Sequence, residues 1–221
     1  MITGEHIEVI RLTLLVGVAA TGAMLPPGVA LAWWLARSHA PYKAIVETLV
    51  ALPLVLPPVA TGYLLLRLLG RRGPLGAWLD QMGVEVIFTW KAVLIAMVVM
   101  GLPLLVRTAR TGFEQNTRRF EQMADTLGAG PWRVFFTISL PLARRAVLAG
   151  ALLAFARALG EFGATIVVAG SLLGETRTIA VALYGYLETG RDADATTLLA
   201  ASLVIALTAV WLANRLVREE A

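Results

Sequence analysis

Two charged residues stand inside an otherwise apolar run. Arg157 and Glu161 lie four residues apart in LLAFARALGEFGATIVVAG. On a helix that spacing is one turn, so the two side chains can pair. A lone charge at a bilayer centre costs about 2.5–3.5 kcal/mol on insertion scales, so neither residue is expected to face lipid. Two roles fit the pair: part of a gate in a transmembrane path, or a structural ion pair that locks two helices. Gly160 and Gly163 flank Glu161 and allow a neighbouring helix to come close. A second unusual cluster, Pro53, Pro57 and Pro58, falls within one apolar run. Each proline removes an N–H and frees a carbonyl one turn back. Within a bilayer such breaks survive where a neighbouring helix or a polar path satisfies the freed groups. The run is therefore expected to form a bent helix beside a path, or one kinked for packing. Pro26 and Pro27 are assigned to packing. Thr61 and Thr165 lie in these two runs and complete the candidate path residues. Catalytic chemistry is not in view. There is no Cys, His6 and His39 are far apart, and no Walker A, H-E-x-x-H or G-x-S-x-G sequence occurs. No metal site and no catalytic residue are expected.

The elements that must hold these residues are set by composition. Of 221 residues, 58% are hydrophobic and 15% charged, against roughly 45–50% and about 25% in ordinary soluble domains. The excess lies in long runs. About 20 apolar residues cross the hydrocarbon core, which gives spans near residues 10–35, 44–69, 86–105, 141–170 and 195–216. The expected fold is all-α: a polytopic membrane protein of five transmembrane helices, or six if segment 160–190 hides another. A short helix that does not span is expected around Thr178–Leu187. Residues 1–221 are read as one membrane domain, with no soluble enzyme domain, no appended regulatory domain and no signal peptide. With the 107–140 connection and the C-terminus in the cytoplasm, eleven basic residues fall on the inner side: Arg37, Lys43, Arg107, Arg110, Arg118, Arg119, Arg133, Arg144, Arg145, Arg215 and Arg218. Seven fall outside: Arg11, Arg67, Arg71, Arg72, Lys91, Arg177 and Arg191. The excess places the N-terminus outside and the C-terminus inside. The basic residues flank apolar runs and the net charge is only +4, so nucleic acid is not an expected partner.

The 107–140 connection contains an ordered stretch, QMADTLGAGPWRVFFTISLP. RRFEQMADTL supplies good helix formers, and Gly128 suits a left-handed helix end. Pro131 suits the first turn of a new helix. Pro141 is expected to open the next span. The result is a helix–turn–helix elbow, and such order on a loop is expected where something docks.

This stretch resembles the EAA loop of ABC importer permeases. That pattern is Glu-Ala-Ala, three residues, Gly, nine residues, then Ile-x-Leu-Pro. Ala124, Gly128, Ile138, Leu140 and Pro141 match it. Gln122 stands for the Glu and Met123 for the first Ala, while a carboxylate, Glu121, sits one residue earlier. The departures leave the role of the Glu charge open. Leu52–Leu66, Leu152–Gly170 and Gly174–Ala180 are similar to the matching segments of molybdate permeases, with sulfate and tungstate permeases close in pattern. The resemblance implies the type I importer permease fold and import of a tetrahedral oxyanion, molybdate first. It implies a second copy forming the path, two cytoplasmic ATPase subunits that receive the elbow and carry ATP-Mg, and an extracytoplasmic binding protein. It implies a bacterial cytoplasmic membrane, no enzyme activity, and no cofactor on this chain. A Glu161 carboxylate would repel such an anion, which favours the structural role for the pair. The rival class is a self-contained channel or secondary transporter, for which paired repeats and a midplane ion site would be expected.

Overall fold

The computed structural model describes the backbone of residues 3–116 and 118–218, without the side chains of residues 116, 118, 119, 125 and 216–218. The side chains of Arg118, Arg119 and Arg218, counted above toward orientation, lie outside the described residues. All regular structure among the described residues is helical.

Helix α1, Gly4–Arg37, is 34 residues long, about 51 Å at 1.5 Å per residue. It starts at Thr3, whose hydroxyl accepts from the His6 N–H while His6 Nδ1 accepts from the Thr3 N–H. The chain then forms α2 (Lys43–Val55), α3 (Pro58–Leu69) and a short α4 (Pro74–Gln81). Helix α5 is Trp90–Asn116, and α6 is Arg118–Thr126. One turn, α7 (Pro131–Val134), leads through a π-helical turn (Phe135–Ser139) into α8 (Leu140–Leu159). Three helices close the chain: α9 (Gly163–Ala169), α10 (Ile179–Glu188) and α11 (Asp192–Arg218). By length and apolarity, α1, α5, the continuous stretch Pro131–Leu159 and α11 can each cross a membrane, and the bent pair α2–α3 brings the number to five. Helix α10, short and apolar, stands where a non-spanning helix is expected.

Helices α1, α5 and α8 make the centre. Val16, Ala20 and Met24 of α1 pack with Val93, Met97 and Met100 of α5 and with Ala151, Ala154 and Ala158 of α8. The crossings are close because the contact residues are small. A Cβ on Gly112 of α5 would lie 2.3 Å from Ala146 Cβ of α8. Without a hydrophobic drive between helices in lipid, such close backbone contact supplies the association energy. A second cluster, with Leu35, Val106, Phe113, Phe135 and Val147, closes the end of the bundle nearest α6.

Four expectations need correction. Residues 44–69 are not one continuous kinked helix but two helices that together have the apolarity of a span. The chain turns by 114° between α2 and α3. Leu56, held extended at ψ 144° ahead of Pro57, cannot continue the helix, and Pro58 starts a new one. The span expected to reach 170 stops at Leu159, because Gly160, Glu161 and Phe162 interrupt it before α9. Pro141 does not open a span. The helix runs through it from Pro131, and the widened turn just before it, with Leu140 N–H bonded back to Phe135 O, makes room for the proline ring. Helix α5 also continues through residues 107–116, which narrows the ordered connection to α6 and the turn after it.

Candidate functional site

Two places in the fold hold the residues singled out above. They lie at opposite ends of α8, whose 20 residues span about 30 Å at 1.5 Å per residue.

The first is the elbow. Helix α6 ends as Gly128 takes φ +76°, and the Ala129 and Leu127 N–H groups both bond to Ala124 O. This is a closed helix end that a residue with a Cβ adopts only under strain. Gly130 and Pro131 start the next turn, where the Val134 N–H bonds Gly130 O. The two faces of α6 differ. Glu121 and Ala124 point inward and are buried, Glu121 at 8% exposure. Gln122, Met123 and Leu127 point outward, Leu127 at 87% exposure, and Phe120, Trp132 and Phe136 are also exposed. Ile138 and Leu140 are half-buried, while Pro141 is exposed. The elbow thus presents apolar side chains on an outward face while its inward face is anchored.

The anchor was not legible in the sequence. The Glu121 carboxylate receives Arg37 Nε at 2.8 Å, and also Arg37 Nη2 and the Ser139 hydroxyl. Arg37 lies in the last turn of α1, and Ser139 in the π-helical turn before α8. The displaced carboxylate therefore faces the bundle, and the matching exposed position is the uncharged Gln122.

The second place is where the two helix breaks meet. Gly163, the first residue of α9, lies against the start of α3, and a Cβ there would fall 2.7 Å from Pro58 Cβ. One turn along α3, a Cβ on Gly62 would fall 2.8 Å from Ala164 Cα. Glu161 sits in the break at 1% exposure. Its Oε2 accepts from Arg157 Nη1 at 2.9 Å, and its Oε1 accepts from the Ala164 N–H at 2.7 Å. The pair forms, but it bridges the end of α8 and the start of α9 rather than one turn of a single helix. The cap on α9 explains the placement, since a carboxylate at a helix N-terminus satisfies a free N–H. The Thr61 and Thr165 hydroxyls are buried and have no hydrogen-bond partner among the described residues. Other helical threonines here bond the carbonyl four residues back, as Thr13, Thr21 and Thr208 do. Pro58 belongs to this junction. Pro57 is exposed at the bend, and Pro53 is half-buried within α2.

The far end of α1 carries a polar cluster absent from the candidates. His6 is fully buried with Nε2 3.2 Å from Asp194 Oδ1. Glu5 pairs with Arg177 and Arg191, and Arg191 also binds Asp194 at 2.7 Å. The Asp194 hydrogen bond holds the Arg191 pKa above its ordinary value. These contacts tie α10 and α11 to the start of α1. Among the described residues no group of His, Asp or Glu is placed to hold a metal ion.

The family described as "Binding-protein-dependent transport system inner membrane component" matches residues 28–219. The chain is 44% identical to the "Molybdenum transport system permease protein ModB" of Escherichia coli (strain K12), over 100% of this chain and 99% of that one. It is 43% identical to the protein of the same name in Haemophilus influenzae, over 96% and 95%. It is 37% identical to the "Sulfate transport system permease protein CysW" of Synechococcus elongatus, over 78% of this chain and 60% of that one. Among solved structures, a chain of a bacterial alginate ABC transporter in complex with its pentasaccharide-bound periplasmic protein superposes with TM-score 0.76 at 18% identity, covering 98% of this chain and 80% of that one.

Proposed function

We propose, for a chain that belongs to the family of binding-protein-dependent transport system inner membrane components, that it is the permease subunit of an ATP-driven importer of a tetrahedral oxyanion, molybdate first. The observation that carries this reading is the end-to-end similarity to molybdenum permeases at 43–44% identity. The more distant sulfate permease makes sulfate the second candidate.

The protein sits in a bacterial cytoplasmic membrane with the elbow and C-terminus inside. Two copies line the path. The exposed apolar residues of α2 and α3, among them Leu49, Val55, Val59 and Tyr63, suit a second copy or lipid. The outward face of α6, with Met123 and Leu127, docks in a groove of an ATPase subunit, and two such subunits carry ATP-Mg. An extracytoplasmic binding protein delivers the anion and supplies the selectivity, since a path must hold its ion weakly enough to release it. Closure of the ATPases moves the two elbows. The unbroken helix from Pro131 to Leu159 carries that motion to the junction of α3 and α9, which switches between discrete packings.

Deleting the gene tests the substrate. In scarce molybdate the strain is expected to lose molybdenum content and molybdoenzyme activity while sulfate assimilation continues. Normal molybdenum content with failed sulfate assimilation would transfer the assignment to sulfate.

A further inference from the structure

The anchor beneath the elbow joins four elements through one guanidinium. Arg37 reaches Glu121 of α6 with two of its nitrogens, a forked geometry that lysine cannot reproduce. A third nitrogen, Nη1, donates to Trp33 O of α1 at 3.3 Å. The guanidinium carbon stands 5.2 Å from the Trp33 ring and 5.6 Å from the Phe113 ring of α5, within cation–π range. Ser139, fully buried, donates to the same carboxylate from the turn that opens α8. A bare helix end on a loop would swing when pushed. Here a push on the outward face of α6 meets a carboxylate bonded to α1 and to the head of α8.

We propose that Arg37, Glu121 and Ser139 are positioning residues for transport: they form a strut that makes the elbow, α1 and α8 move as one body. The inference rests on the transporter reading above and adds to it a set of residues that touch neither anion nor nucleotide. If it is right, losing the strut uncouples. ATP is still hydrolysed, but less anion crosses per ATP. A role in folding alone has a different signature, because removing both charges together then cures the defect. Breaking a buried pair is costly, whereas replacing it with apolar groups is often neutral.

The test uses the whole complex in proteoliposomes, with labelled molybdate uptake and ATP hydrolysis measured on the same sample. The double variant Arg37→Met, Glu121→Leu is expected to assemble and hydrolyse ATP within about twofold of the parent, while the ratio of anion to ATP falls about tenfold or more. Ser139→Ala strands no charge, so it serves if the double variant does not assemble. It is expected to lower the ratio about threefold with hydrolysis unchanged. A parental ratio in the assembled double variant, or in Ser139→Ala if the double variant does not assemble, overturns the proposal. If the parent complex moves no molybdate but moves sulfate, the substrate reading fails, and the ratio with sulfate still tests the strut. A parent that moves neither anion refutes the transporter reading.

Discussion

Removing the Arg157 side chain leaves Glu161 with a single partner. The carboxylate is buried at 1% exposure and holds two hydrogen bonds, one to Arg157 and one to the Ala164 N–H. Arg157→Met takes the first away and leaves the charge in place. Breaking a buried pair from one side costs about 3–5 kcal/mol. Arg157 itself is 27% exposed, so the lower end applies, about 3 kcal/mol. Glu161→Gln is milder. Its amide oxygen still accepts from Ala164, and the guanidinium turns to solvent, for about 1 kcal/mol. The double variant Arg157→Met, Glu161→Gln holds no stranded charge and is expected to resemble Glu161→Gln alone, an interaction energy of about 3 kcal/mol. For a chain of this size each kcal/mol moves the melting temperature by about 2–4 °C, so Arg157→Met is expected to melt about 6–12 °C below the parent. Tryptophan fluorescence of the purified complex follows the melt, with uptake measured alongside. Additive losses, with the double variant as unstable as the sum of the singles, would refute the reasoning. If Arg157→Met melts normally yet transports nothing, and the double variant is equally inactive, the pair belongs to the gate.

Gly112→Ala puts a Cβ 2.3 Å from Ala146 Cβ, and overpacking of this kind costs about 1–3 kcal/mol; adding Ala146→Gly is expected to restore the melting temperature. Gly128→Val places a β-branched residue at φ +76°, a local cost of about 1–2 kcal/mol. It is expected to leave the spans inserted and to abolish coupled uptake, so parental uptake at normal expression would contradict the elbow's role. Thr61→Val and Thr165→Val remove hydroxyls that have no partner among the described residues, so stability is expected within about 1 kcal/mol of the parent; a larger loss would reveal a hydrogen bond in the working state. The chain has no Cys, so a single Cys at Ser38 reports its side of the membrane. It is expected to resist an impermeant thiol reagent applied to intact cells, and labelling there would invert the topology.

The features legible in the sequence were those that neighbouring residues decide. Apolar runs marked the spans. Gly128 and Pro131 marked the turn at the elbow, because left-handed geometry and a first helical turn each suit few residues. Prolines 57 and 58 announced an interruption but not its angle. The 114° turn depends on α3 lying against α9 through Gly62 and Gly163, a contact between segments far apart in the chain. The end of α8 at Leu159 was obscured because Leu152–Gly170 reads as one apolar stretch, and Glu161 gave no local sign that it caps a helix. The Arg37–Glu121 contact spans 84 residues, and no periodicity connects them. Its one signal was a carboxylate, Glu121, displaced by one residue from the expected position. His6 read only as a histidine far from His39, because its partner Asp194 lies near the opposite end of the sequence.

Reconstitution tests the central claim most directly. The chain, its ATPase subunit and its binding protein are placed in liposomes and supplied with labelled molybdate. Uptake is expected to require all three components and ATP hydrolysis, and to stop when any one is omitted. Molybdate uptake by this chain alone, down its gradient and indifferent to ATP, would contradict the account and leave a self-contained channel in its place.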